Sequence, residues 1–138
     1  MLKIIQGIDF DYSCDIKSQR KFRMRIINEA VQSCIDASVS CAVECEHCAT
    51  QCLKGGDTNL VPSQCIELCR QCASVCRAAS EVLAIGGEYS SLPCETCARI
   101  CEACAGECEK YDTAHCRHCA RECRSCAMEC RKVVAELA

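Results

Sequence analysis

Twenty of the 138 residues are cysteine, and their spacing carries the chemistry of the chain. Cys14 stands apart near the start. The other nineteen fall into four clusters: Cys34, Cys41, Cys45, Cys48 and Cys52; Cys65, Cys69, Cys72 and Cys76; Cys94, Cys97, Cys101, Cys104 and Cys108; and Cys116, Cys119, Cys123, Cys126 and Cys130. Steps within a cluster are of three and four residues, apart from one step of seven between Cys34 and Cys41. Four uses of so many thiols compete: packing as small apolar groups, disulfides, thiol redox catalysis, and metal binding.

Packing is the weakest reading, because leucine, valine or isoleucine would bury more apolar area at the same positions. Disulfide-rich folds are loop-rich, and a chain with 2 prolines and 6 glycines lacks the loops. A redox catalyst needs an exposed C-x-x-C at a helix start; Cys94 and Cys97 come nearest, but they continue a longer stripe of cysteines. Metal binding remains. Zinc takes closed four-ligand sites on knuckles, and iron–sulfur clusters take loop motifs such as C-x2-C-x2-C-x3-C-P, which is missing here. Cu(I) is soft, selects thiolate, and accepts two or three sulfurs, so cysteines one helical turn apart can hold it and shared sulfurs can bridge ions. Exchanging a thiol proton for Cu(I) also leaves the charge unchanged, whereas many buried divalent ions would not. The residues point to a multinuclear Cu(I)–thiolate store, with a zinc or iron–sulfur carrier as the alternative.

The elements that position these thiols follow from the same spacing. At about 100° per residue, each cluster lands in a stripe about 60–80° wide on one helix face. The seams continue in register through Ser38, Val31, Ile27 and Met24, through Ala79 and Leu83, and through Val133 and Leu137. Gly55-Gly56 and Gly86-Gly87 stop the first two helices, Pro62 suits the first turn of the second, Ser91 the cap of the third, and Asp112 or Thr113 the cap of the fourth. Helices are expected near 22–53, 62–86, 91–110 and 113–136. Short connections favour antiparallel neighbours, so the predicted fold is all-α, an up-down-up-down four-helix bundle with a cysteine-lined core. The chain reads as a single domain over 1–138, with 1–20 as an N-terminal arm and 21–138 as the bundle.

A net charge of −3 favours neither nucleic acid nor an anionic membrane as partner. The basic run Lys17, Arg20, Lys21, Arg23 and Arg25 reads as a solvated face or subunit contact. No apolar stretch approaches the ~20 residues of a membrane span, and the first residues lack a secretory pattern, so the expected location is the cytoplasm.

The stretches CIELCRQCASVCRAA, CETCARICEACAGECEKYDTAHC and CRHCARECRSCAMECR resemble the cytosolic copper storage proteins over roughly residues 25–135. The resemblance implies a four-helix bundle holding many Cu(I) ions inside, a homotetramer, storage or detoxification, and no catalysis. Cys14 and the arm lie outside it.

Antiparallel threading sorts residues by end. Ile27, Val31, Val82, Leu83, Ile85, Val134 and Leu137 gather as an apolar plug. Cys52, Cys65, Cys108 and Cys116 gather at the opposite mouth with the loops carrying Asp57, Tyr111 and His115. His115 lies about 60° from its stripe centre, near enough to act as ligand or gate for an ion arriving from a copper donor or chaperone. His47 and His118 point about 120–140° away and read as surface residues. Met24 and Met128 read as packing.

Overall fold

Each cysteine cluster occupies one α-helix. The computed structural model describes residues 29–55 and 63–137, and in this range the chain forms α1 (Glu29–Lys54), α2 (Ser63–Ile85), α3 (Ser91–Cys108) and α4 (Ala114–Leu137). Consecutive helices pack on one another and α1 closes the ring against α4, which gives the expected up-down-up-down bundle. There is no strand among the described residues. Cys14, Met24, Ile27, Asp57, Pro62, the basic run and the arm lie outside them, as does the expected start of the first helix near 22.

Local chemistry sets the boundaries. Gly86 (φ 79°) and Gly87 (φ 113°) adopt left-handed backbone that side chains disfavour, and the Gly86 N–H donates to the Val82 carbonyl to finish α2. Thr113 caps α4: its Oγ1 accepts from the Cys116 N–H at 3.2 Å. The cap of α3 differs from expectation. Ser90, not Ser91, holds the position, and its side chain makes no capping bond. The last turn of α3 ends at Cys108 and tightens, with the Lys110 and Tyr111 N–H groups donating to the carbonyls of Glu107 and Cys108.

The core is built of small groups. Beside the cysteines it contains Ala42, Ala49, Ala73, Ala98, Ala105, Ala120 and Ala127, each directly after a seam cysteine, and its largest apolar side chains are Leu83 and Val133. The plug is narrower than the helical seams imply. Leu83 and Val133 fill it, Val31, Val82 and Val134 are half-buried, and Ile85 and Leu137, the last residues of α2 and α4, are exposed. Met128 is exposed too, since an off-seam position on α4 meets no other helix. Outside the core, Arg124 grips Glu109 and Arg131 grips Glu102 with paired hydrogen bonds of 2.7–3.1 Å, fixing the register of α3 on α4.

Candidate metal centre

All nineteen described cysteines are buried, and none is in a disulfide. On α1 and α4 they meet in strict antiparallel register: Cys34 with Cys130 at 3.4 Å between sulfurs, Cys41 with Cys123 at 3.7 Å, Cys45 with Cys119 at 3.7 Å, and Cys48 with Cys116 at 3.9 Å. On α2 and α3 the same ladder runs Cys65–Cys108 at 3.8 Å, Cys69–Cys104 at 3.7 Å, Cys72–Cys101 at 3.6 Å and Cys76–Cys97 at 3.5 Å. Sulfurs also touch across the diagonals, Cys41 to Cys101 and Cys69 to Cys119 at 3.9 Å each, so the bundle axis is sulfur throughout this stretch.

Ligand atoms gather in sets lying within 4.8 Å of one another: Cys41, Cys45, Cys72 and Cys123; Cys41, Cys72, Cys76 and Cys101; Cys45, Cys104, Cys119 and Cys123; Cys48, Cys69, Cys108 and Cys119; and Cys48, Cys52, His115 and Cys116. The sets share members, so they form a continuous chain of sites rather than separate ones. The last set brings His115 to the thiols, with its Nε2 3.4 Å from the Cys52 sulfur.

Burial at the mouth and hydrogen bonding between thiols deeper in set the protonation of these groups. Burial, then the neighbouring Cys116 and Cys65, pushes the Cys52 thiol up to about 12, and burial raises Cys116 as well. Deeper in, thiols share protons: hydrogen bonds from Cys130 and then Cys34 hold Cys94 low, while Cys130 is driven up among Cys126, Cys34, Cys94 and Cys97. The thiols of Cys52 and Cys116 thus stay protonated in the metal-free protein, and metal binding at the mouth must release their protons. His115 is held below the ordinary histidine value by burial and then by the charge of His47, which leaves a neutral imidazole with a lone pair to offer at pH 7.

The mouth holds one group that sequence reasoning missed. Glu107 is buried at 6% exposure and accepts from Lys110 Nζ at 2.8 Å and from the Tyr111 hydroxyl at 2.9 Å. Its position directly before Cys108 was the only signal. Tyr111 therefore faces a carboxylate and does not pair with His115. His47 and His118 are exposed as expected, yet they share one surface groove with His115. Cys94 and Cys97, the nearest approach to a redox motif, have no exposed surface, which removes the access that thiol exchange requires.

Residues 27–135 match the sequence profile of the copper storage proteins (Csp). The chain belongs to the copper storage protein family. Several solved members of this family share its fold. The Cu(I)-bound copper storage protein BsCsp3 is 38% identical, with a TM-score of 0.73 over 77% of this chain and 99% of that one. Apo-Csp3 from Bacillus subtilis is also 38% identical, with a TM-score of 0.67 over 75% of this chain and 97% of that one. A cytosolic copper storage protein from Streptomyces lividans carrying five coppers is 33% identical, with a TM-score of 0.73 over 80% of this chain and 96% of that one. No match was found among curated protein sequences. No described helix is long and apolar enough to cross a membrane.

Proposed function

We propose that this member of the copper storage family holds many Cu(I) ions per chain on the thiolates of its nineteen core cysteines, with His115 as the ligand that meets ions at the mouth. The overlap of the ligand sets carries this reading. Cys41, Cys45, Cys48, Cys72, Cys119 and Cys123 each belong to two sets. A sulfur shared between sites suits bridging Cu(I), which needs only two or three thiolates. Closed zinc sites want four ligands each, and divalent ions loaded at one per thiol would leave uncompensated positive charge in a buried column. The protein is then a non-catalytic cytosolic store, a homotetramer of bundles filled from a copper donor or chaperone, its whole length one domain with residues 1–20 as an arm.

An anaerobic Cu(I) titration of the reduced protein tests the reading. Saturation is expected at about one ion per core cysteine, because bridging spreads each thiolate over two ions. Saturation at four or five ions, as isolated four-sulfur sites would give, overturns it. Zinc retained in preference to Cu(I) would overturn it as well.

A further inference from the structure

Outside the sulfur column, α1 and α4 leave a groove of about 590 Å³ at the mouth end of the bundle. All 3 histidines of the chain line it. The pattern is two pairs, each one helical turn apart: Glu44 and His47 on α1, His115 and His118 on α4. Residues three apart share a helix face, and a Glu-x-x-His pair on one helix opposite histidine on another is an arrangement from which helical bundles build metal sites. Here it faces outward.

The two helices already touch through these groups. His118 Nε2 lies 3.4 Å from Glu44 Oε2, longer than a good hydrogen bond, with the carboxylate only 25% exposed. Arg121 lies 3.3 Å from the other ring nitrogen, Nδ1, of His118. His115 belongs to the sulfur column through Cys52, so the donors left to the groove itself are two imidazoles and a carboxylate. That donor set differs in kind from the thiols a helix turn away. Imidazole and carboxylate suit borderline divalent ions, and two histidines with one carboxylate and an open position form a recurrent zinc site.

We propose that Glu44, His47 and His118 form a surface site for one divalent first-row cation of the Zn(II) class, separate from the thiolate store. The chain sorts metals by donor softness: soft monovalent ions to the sulfur axis, borderline divalent ions to the groove. The ion binds His118 Nε2 beside Glu44, the proton held there moves to Nδ1, and Arg121 swings away from a ring nitrogen that no longer accepts its hydrogen bond.

The test uses protein first saturated with Cu(I), so that the thiols are occupied, then dialysed against Zn(II), with copper and zinc both counted. One Zn(II) per chain with no loss of copper is expected. The double substitution His47→Ala, His118→Ala should weaken Zn(II) binding by about tenfold or more with copper content unchanged. Arg121→Ala should tighten binding, an effect that a merely structural role for His118 would not produce. Zinc that binds only by expelling copper, or that binds the double variant as it binds the wild type, overturns the proposal, as does its failure to bind the loaded protein. The choice of sample rests on the storage reading, whose failure shows separately as a low copper count. In that case, Zn(II) added to reduced metal-free protein must shift the NMR signals of the His47 and His118 rings; unshifted rings overturn the proposal there too.

Discussion

The two ends of the bundle are made from the same four helices and differ almost entirely in side-chain chemistry. At one end Leu83 and Val133 close the column above Cys34, Cys94 and Cys130, and these groups have at most 2% exposure. At the other, Cys52 keeps 5% exposure and meets an imidazole, while a phenol and a carboxylate hydrogen-bond beside it. Cys52 is the only described cysteine with any exposed surface. One end therefore supplies stability and offers a soft metal no ligand, whereas the other offers ligands that grade from imidazole to thiol.

Substitutions that exchange the roles of the ends test this contrast. The largest effect is expected at the apolar end: Leu83→Ala should cost about 2–5 kcal/mol of metal-free stability, measured by denaturant unfolding, and leave the rate of copper transfer unchanged. At the mouth, His115→Ala should change the rate of loading and of chelator-driven removal by about tenfold, seen by stopped-flow, with capacity nearly intact. Wild-type transfer in His115→Ala together with faster transfer in Leu83→Ala would reverse the ends.

A smaller effect is expected between the ends. Ser38 occupies a seam position on α1, fully buried, with its hydroxyl 3.6 Å from the Cys126 sulfur and 4.0 Å from that of Cys34. Ser38→Cys completes the seam and should raise the copper count by about one ion, since the added thiol joins sulfurs already in contact. An unchanged count would show that the break at Ser38 does not limit the store.

The smallest effect concerns pH at the mouth. Lys110, then Tyr111, holds the Glu107 carboxyl below its usual value. A carboxyl whose folded value is depressed adds stability above its unfolded value and loses it as pH falls through the folded one. Glu107→Gln should thus lower the melting temperature at neutral pH, and the gap to wild type should narrow as pH drops below about 4.3. A gap independent of pH would assign the loss to packing alone.

The thiol ladder could be read from the sequence because one residue type marks each helix face at steps of three and four, and nothing else satisfies that pattern. A cap at Asp112 or Thr113 was legible for a similar reason, as a polar side chain just before a periodic segment, and Thr113 makes the bond. Other features depend on neighbours that no single helix reveals. An angle around α4 places His118 away from the core but is silent on α1 bringing Glu44 against it, with His47 in the same groove. Antiparallel threading placed Ile85 and Leu137 in the plug, yet both are the last residues of their helices and stay exposed. The burial of Glu107 required knowing that Tyr111 folds back over it after the tight turn that closes α3.

The alanines that follow the seam cysteines have a calorimetric consequence. A core of methyl and thiol groups, with Leu83 and Val133 as its largest apolar members, exposes little hydrocarbon when it unfolds. Heat capacity of unfolding tracks that exposure, so the increment per residue for the metal-free bundle should fall below the usual ~12–15 cal/mol/K. Its free energy then bends only gently with temperature, and the empty container keeps a nearly even stability from cold to warm conditions.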